Sequence, residues 1–134
     1  MSTSRIAVLA QKAPKPYSFL SQAIISGSHI FCSGQIGYKP DTGILVEGTI
    51  KDRTKQTLSN LQAVLEGAGA SLQDVVKVNI YITDMAKFAE MNEVYETFFV
   101  DPKPARTCVS VQALPLGTDV EIECTANLPQ DSKL

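Results

Sequence analysis

The chain has 134 residues, of which 44% are hydrophobic and 19% charged, with a formal net charge of −2. That length fits one domain with a buried core, so 1–134 reads as a single domain. The acidic balance argues against nucleic acid as the main partner, no apolar run is long enough to span a bilayer, and no targeting segment opens the chain, so the cytoplasm is expected, with a mitochondrial or nuclear pool left open.

Taken in chain order, 21–26 and 29–33 read as two short strands, with Gly27 and Ser28 between them as a tight hairpin turn. Pro40, Asp41, Thr42 and Gly43 supply the turn chemistry of a loop after them. Thr49 and Asp52 form a T-x-x-D capping signal that opens a helix. Its inner face is Thr54, Thr57, Leu58, Leu61, Val64, Leu65 and Ala68, and Gly67 and Gly69 end it. Residues 75–83 alternate as a strand, with Val76, Val78, Ile80 and Ile82 on one side and Lys77, Asn79 and Tyr81 on the other. Asp84 can cap a second helix with Phe88, Met91, Tyr95, Phe98 and Phe99 as its buried stripe, and Pro102 and Pro104 prevent its continuation.

Residues 105–112 and 118–127 read as a terminal hairpin. This arrangement predicts an α+β, two-layer sandwich with both helices on the apolar face of one mixed sheet. The opposite face would carry Lys77, Asn79, Tyr81, Arg106, Cys108, Ser110, Glu121 and Glu123. Such a mixture of charge, phenol and thiol suits a subunit interface with clefts.

The segment KPARTCVSV, with Glu121 and Glu123 downstream in VEIEC, carries the strongest chemical signal. Arg106 presents a rigid fork of donors that matches a carboxylate. Its alternative is a cross-strand ion pair with Glu121 or Glu123, contributing about 0.2–1 kcal/mol. The two glutamates can push each other's pKa values apart and leave one as a base, or can simply charge an edge strand. Asn92 is a polar break in an apolar helix stripe, either satisfied by local backbone or placed at a pocket mouth. Ser33 lacks a GxSxG elbow, and His29 is the only histidine, so neither Ser33 nor Cys108 reads as a catalytic nucleophile. Arg106 could lower the Cys108 pKa and sensitise that thiol to oxidation. Cys32, Cys108 and Cys124 have no metal-ligand spacing and read as buried, reduced thiols.

The runs FCSGQIGYKPDTG, VVKVNIYITDMAKFAEMNEVYETFF, KPARTCVSVQALPLG and VEIEC resemble the RidA family of reactive-intermediate (enamine/imine) deaminases over 13–127. The resemblance implies a chorismate-mutase-like fold: a mixed six-stranded sheet with two helices on one face, assembled as a homotrimeric barrel with three pockets between subunits. It implies hydrolysis of 2-iminobutanoate and 2-iminopropanoate to 2-keto acids and ammonia, without a cofactor or metal. On that resemblance Arg106 would grip the substrate carboxylate and Glu121 would orient or activate water. Ser33, Asn92, Cys108 and Tyr17 would contribute to binding. Members commonly read GPYSQA where this chain has APKPYSFLSQA. An ungapped alignment puts Leu20 at the tyrosine position and leaves Tyr17 three residues early. Either the loop presents Tyr17 to the pocket, or the pocket lacks a phenol. A non-catalytic trimer that binds small carboxylates through Arg106 is the alternative function, and a nuclease role is disfavoured by the acidic balance.

Overall fold

The computed structural model describes residues 4–129. Six strands and two α-helices occur in the order β1 (Arg5–Val8), β2 (Ala23–Ser26), β3 (His29–Gln35), α1 (Ile50–Gly67), β4 (Val75–Ile82), α2 (Phe88–Tyr95), β5 (Ala105–Ser110) and β6 (Val120–Asn127). The strands form one sheet in the order β1-β2-β3-β6-β4-β5. Of these strands only β4 and β5 run parallel to each other; the other neighbouring pairs are antiparallel. This is the expected α+β sandwich with a mixed six-stranded sheet. β1, which the sequence did not announce as a strand, forms the edge beside β2.

Local chemistry accounts for the elements. Gly27 has φ +61°, a backbone state that glycine adopts without a Cβ clash, and it turns β2 into β3. Thr49 and Asp52 close the predicted capping box: Thr49 accepts from the Lys51 amide at 3.2 Å, and the Thr49 amide donates to Asp52 at 2.9 Å. Leu58, Leu61, Val64 and Leu65 on α1 are buried against Val78, Ile80, Val120 and Ile122 of the sheet. Burying each such side chain contributes about 1.5–3 kcal/mol. Asp84 caps as expected, its carboxylate accepting from the Ala86 amide at 3.0 Å, but the element it opens is a 3₁₀ turn, Met85–Lys87, rather than the helix itself. α2 then ends at Tyr95, so Phe98 and Phe99 pack from outside the helix.

The predicted terminal hairpin does not form. β5 and β6 are not neighbours, because β4 lies between them. The α2 connection returns β5 parallel to β4 on its free edge, and β6 takes the other edge antiparallel. The predicted facing is wrong for the same reason. Arg106 is register partner to Val78, Cys108 to Ile80 and Ser110 to Ile82, and those three partners are fully buried beneath the helices. Arg106, Cys108 and Ser110 therefore point to the helix side. Thr107 and Val109 take their places on the open face, beside Asn79 and Tyr81. As an edge strand, β5 can carry polar groups on its helix side because they extend past the sheet instead of into the core. Val76 is also misplaced by the simple alternation: the β4–β6 ladder shifts between Val75 and Lys77, and Val76 is exposed.

Candidate functional site

The residues singled out by sequence fall into two groups. The first lies where β5 meets α2. The Arg106 guanidinium carbon sits over the Tyr95 ring, 4.7 Å from its centroid, and 5.5 Å from that of Phe88. Phe88, Asn92 and Tyr95 occupy positions i, i+4 and i+7 of α2 and so share one face. The rings hold the cation by its attraction to their π-faces. Among the described residues no carboxylate lies within ion-pair distance of Arg106, so the alternative of an ion pair with Glu121 or Glu123 is ruled out within the chain. The Asn92 side-chain oxygen is buried and has no hydrogen-bond donor among the described residues. Half-buried Cys108 lies two residues along β5 on the same side. Burial raises its thiol pKa, and the opposing effect of Arg106 is the smaller one. The direction is opposite to the expected lowering by Arg106, because desolvation outweighs the neighbouring charge. Cys32 and Cys124 are buried cross-strand partners on the helix side, and contact with Cys32 and then burial hold the Cys124 thiol protonated.

The second group surrounds Glu121 on the open face. A cavity of about 250 Å³ is lined there by Tyr17, Leu20, Gly34, Tyr38, Pro115 and Glu121, among others. Its wall is predominantly apolar. Burial, and secondarily the neighbouring Glu123 charge, raise the Glu121 pKa above the ordinary carboxyl value. The two glutamates are thus distinguished by environment. Glu123 accepts a hydrogen bond from Asn79 at 3.1 Å, whereas Glu121 faces the cavity. Gly34 makes room for it, since a Cβ there would collide with the Glu121 carboxylate. Ser33 lies beside Gly34 in the irregular part of the β3–β6 ladder. Its hydroxyl donates to the Ser21 carbonyl at 2.7 Å, which anchors the strand rather than freeing a nucleophile.

Tyr17 does reach this cavity, so the loop presents a phenol despite the altered spacing. Its hydroxyl lies 2.6 Å from that of Tyr38, and its ring stacks on Phe19 with centroids 5.4 Å apart. Tyr38 and Gln22 were not singled out by sequence. Gln22 is buried and clamps the incoming segment, taking the Ala10 amide at 2.6 Å and donating to the Pro14 carbonyl at 2.9 Å. Only its burial, invisible in one sequence, distinguishes it. A larger groove of about 680 Å³, bordered by Gln62, Gln73 and Phe98, lies toward the other end of β4 and contains none of the predicted residues.

The two groups cannot meet within one chain. Arg106 and Glu121 project from opposite faces, on strands separated by β4, and two strand spacings across with three residues along put their backbones about 14 Å apart. One offers a held cation for an anion; the other offers a carboxyl of altered acidity in an apolar wall.

Known proteins share this fold. The family model described as Endoribonuclease L-PSP matches residues 10–128. A RutC family protein of Pyrococcus horikoshii is 50% identical over 119 residues, covering 89% of this chain and 94% of that one. The 2-iminobutanoate/2-iminopropanoate deaminase of Dermatophagoides farinae is 43% identical over 123 residues, covering 92% and 95%. The crystal structure of E. coli TdcF with bound serine superposes with a TM-score of 0.86 at 36% identity, covering 91% of this chain and 98% of that one. Other relatives are named as mitochondrial and chloroplastic proteins, so membership alone fixes no compartment. No described helix is long and apolar enough to cross a membrane. The chain belongs to the L-PSP family, which includes the RidA reactive-intermediate deaminases it resembles.

Proposed function

We propose that this protein hydrolyses reactive 2-imino acids, 2-iminobutanoate and 2-iminopropanoate, to 2-keto acids and ammonia. It acts as a single-domain homotrimer in the cytoplasm, each pocket joining the Arg106 edge of one copy to the Glu121 cavity of another. The observation that carries this reading is the separation of the two groups. Among the described residues, the guanidinium has no acid partner, and the half-buried carboxyl has no cation within ion-pair distance. Each is half of a site for a small anionic substrate that reacts with water.

The chemistry suits the groups. Arg106 accepts the substrate carboxylate in its fork of donors, with Asn92 and Cys108 beside it. The imine carbon is already electrophilic. Glu121, as the anion, takes a proton from water as the water oxygen attacks that carbon. Glu121 passes that proton to nitrogen to complete the carbinolamine; the carbinol hydroxyl then gives its proton to Glu121, which returns it to nitrogen as the C–N bond breaks, so that ammonia leaves, the keto acid remains and the carboxylate is regenerated. A carboxyl pKa raised by burial above its ordinary value makes a stronger base than an ordinary carboxylate. Tyr17 closes the pocket beside Glu121, and Ser33 holds the strand from which Gly34 admits the carboxylate. Holding the reactants together supplies much of the rate advantage. No step calls for a cofactor. The relative with bound serine supports small amino-acid-like carboxylates, rather than nucleic acid, as partners.

A coupled assay tests this. A threonine dehydratase generates 2-iminobutanoate, semicarbazide traps what remains, and 2-ketobutanoate release is tracked with and without the protein. Acceleration by the wild type is the expected result. No acceleration by folded trimer would reject the deaminase reading and leave a carboxylate-binding protein.

A further inference from the structure

We propose that Tyr38 is a positioning residue for the hydrolysis, its hydroxyl holding the Tyr17 phenol at the Glu121 cavity. The inference rests on the reading of that cavity as the reaction site. The two tyrosines are unequally supported.

Tyr17 lies between β1 and β2 in a segment with no strand or helix of its own. Its backbone is tied locally, the Leu20 amide donating to its carbonyl at 3.2 Å. Its ring stacks on Phe19, which is itself 81% exposed and offers no fixed support. At the phenol end its partner is the Tyr38 hydroxyl at 2.6 Å, at the short end for a hydroxyl pair.

Tyr38 is held from several directions. Its amide donates to the Ile36 carbonyl at 2.8 Å, and its carbonyl accepts from the Asn60 side chain at 2.9 Å. Asn60 is 1% exposed on α1 and also donates to the Ile36 carbonyl at 3.1 Å. The loop is closed by amides of Lys39 and Val46 donating to the carbonyls of Ile44 and Gly37, both at 2.9 Å. A buried amide on the main helix thus fixes the loop that carries Tyr38, and Tyr38 in turn fixes Tyr17. With the Tyr38 proton directed to the Tyr17 oxygen, the Tyr17 proton is left to donate into the cavity. The hydrogen bond to Tyr17 is the largest cause of a raised Tyr38 pKa, which fits Tyr38 remaining the protonated donor.

The test is a double-mutant cycle in the coupled deaminase assay, with melting temperatures measured alongside. Tyr38→Phe removes one oxygen at an accessible site. It should lower kcat about threefold to tenfold, the range for one lost hydrogen bond, without lowering the melting temperature. Tyr17→Phe should lose at least as much, and Tyr17→Phe/Tyr38→Phe should match Tyr17→Phe alone. Wild-type kcat in Tyr38→Phe, or losses that multiply in the double variant, would overturn the inference. If the wild type does not accelerate deamination, the deaminase reading fails separately. Ultraviolet phenol titration then decides whether the pair exists. Of the three phenols with raised pKa values, Tyr38, Tyr81 and Tyr95, one should move toward the ordinary range in Tyr17→Phe, and an unchanged late titration of all three would overturn the pairing.

Discussion

The Arg106 edge and the Glu121 cavity are built from opposite materials. At the edge, a permanent charge rests on aromatic rings, and among the described residues its hydrogen-bond donors have no carboxylate to bind. In the cavity, a titratable charge is enclosed by apolar wall and two phenols, and its acidity is altered by that enclosure. A guanidinium stays charged wherever it is put, so it suits recognition of a fixed anion. A carboxyl responds to desolvation, so it suits proton transfer. Recognition and proton transfer are thus suited to different surfaces of one chain.

The largest effects should come from removing one side of this division at a time. Glu121→Gln keeps the shape of the cavity and removes the base. It should lower kcat about 10²–10⁴-fold with KM little changed. Arg106→Ala should act mainly on KM, raising it about 10–10²-fold, as expected for lost hydrogen bonds to a charged group. If both variants changed kcat and KM alike, the division of labour would be wrong.

Mixing the two variants sharpens the comparison further. Assayed at substrate well below KM, Arg106→Ala and Glu121→Gln subunits should each retain little activity alone. In randomly mixed trimers, a site drawing its arginine from one copy and its glutamate from another has both groups intact in about a quarter of cases, and activity should recover to about that level. No recovery in verified mixed trimers would mean that the two groups do not meet across subunits.

Gly34→Ala is a smaller intervention of the same kind. The added methyl collides with the Glu121 carboxylate and must displace it without removing it. Misplacing a reacting group by about 1 Å can cost on the order of 10²-fold. We expect a loss in kcat short of that of Glu121→Gln, with the sheet intact by circular dichroism.

The contrast between the two regions also separates what the sequence could and could not reveal. Period-two and helical patterns, the Thr49–Asp52 cap and the Gly27 turn are local, and they led to the correct sandwich. Strand neighbours are not local. The 105–112 and 118–127 runs look like a hairpin because they are consecutive and joined by turn chemistry. Their true neighbour is β4, brought between them by the α2 crossover. That one error of pairing moved Arg106 to the wrong face, although its lack of an acid partner in its own chain keeps it the candidate anion-binding cation. Tyr38 was missed because its role depends on a hydroxyl contact across 21 residues and on Asn60 beneath its loop. Tyr17 was reached only through resemblance, and its placement depends on a fold-back that spacing alone left open.

The smallest expected effect concerns stability, and its sign is fixed by the same enclosure that tunes the base. Burial first, and the Glu123 charge second, raise the Glu121 pKa in the folded chain above 4.5. Between that ordinary value and the raised one, the folded state binds more protons than the unfolded state, so stability falls as pH rises through this window. The penalty is absent below the window and fully developed above it. Glu121→Gln cannot ionise and escapes it. Urea midpoints of the variant relative to wild type should therefore rise as pH climbs from about 4 to about 7. The acid limb of kcat/KM should lie above 4.5, and Glu123→Gln should move it modestly back toward that value, because Glu123 is the lesser cause. A stability difference that stayed flat over this range would show that Glu121 is solvated in the working assembly. The cavity could not then be what makes it a base, and the distinction between the two regions would collapse.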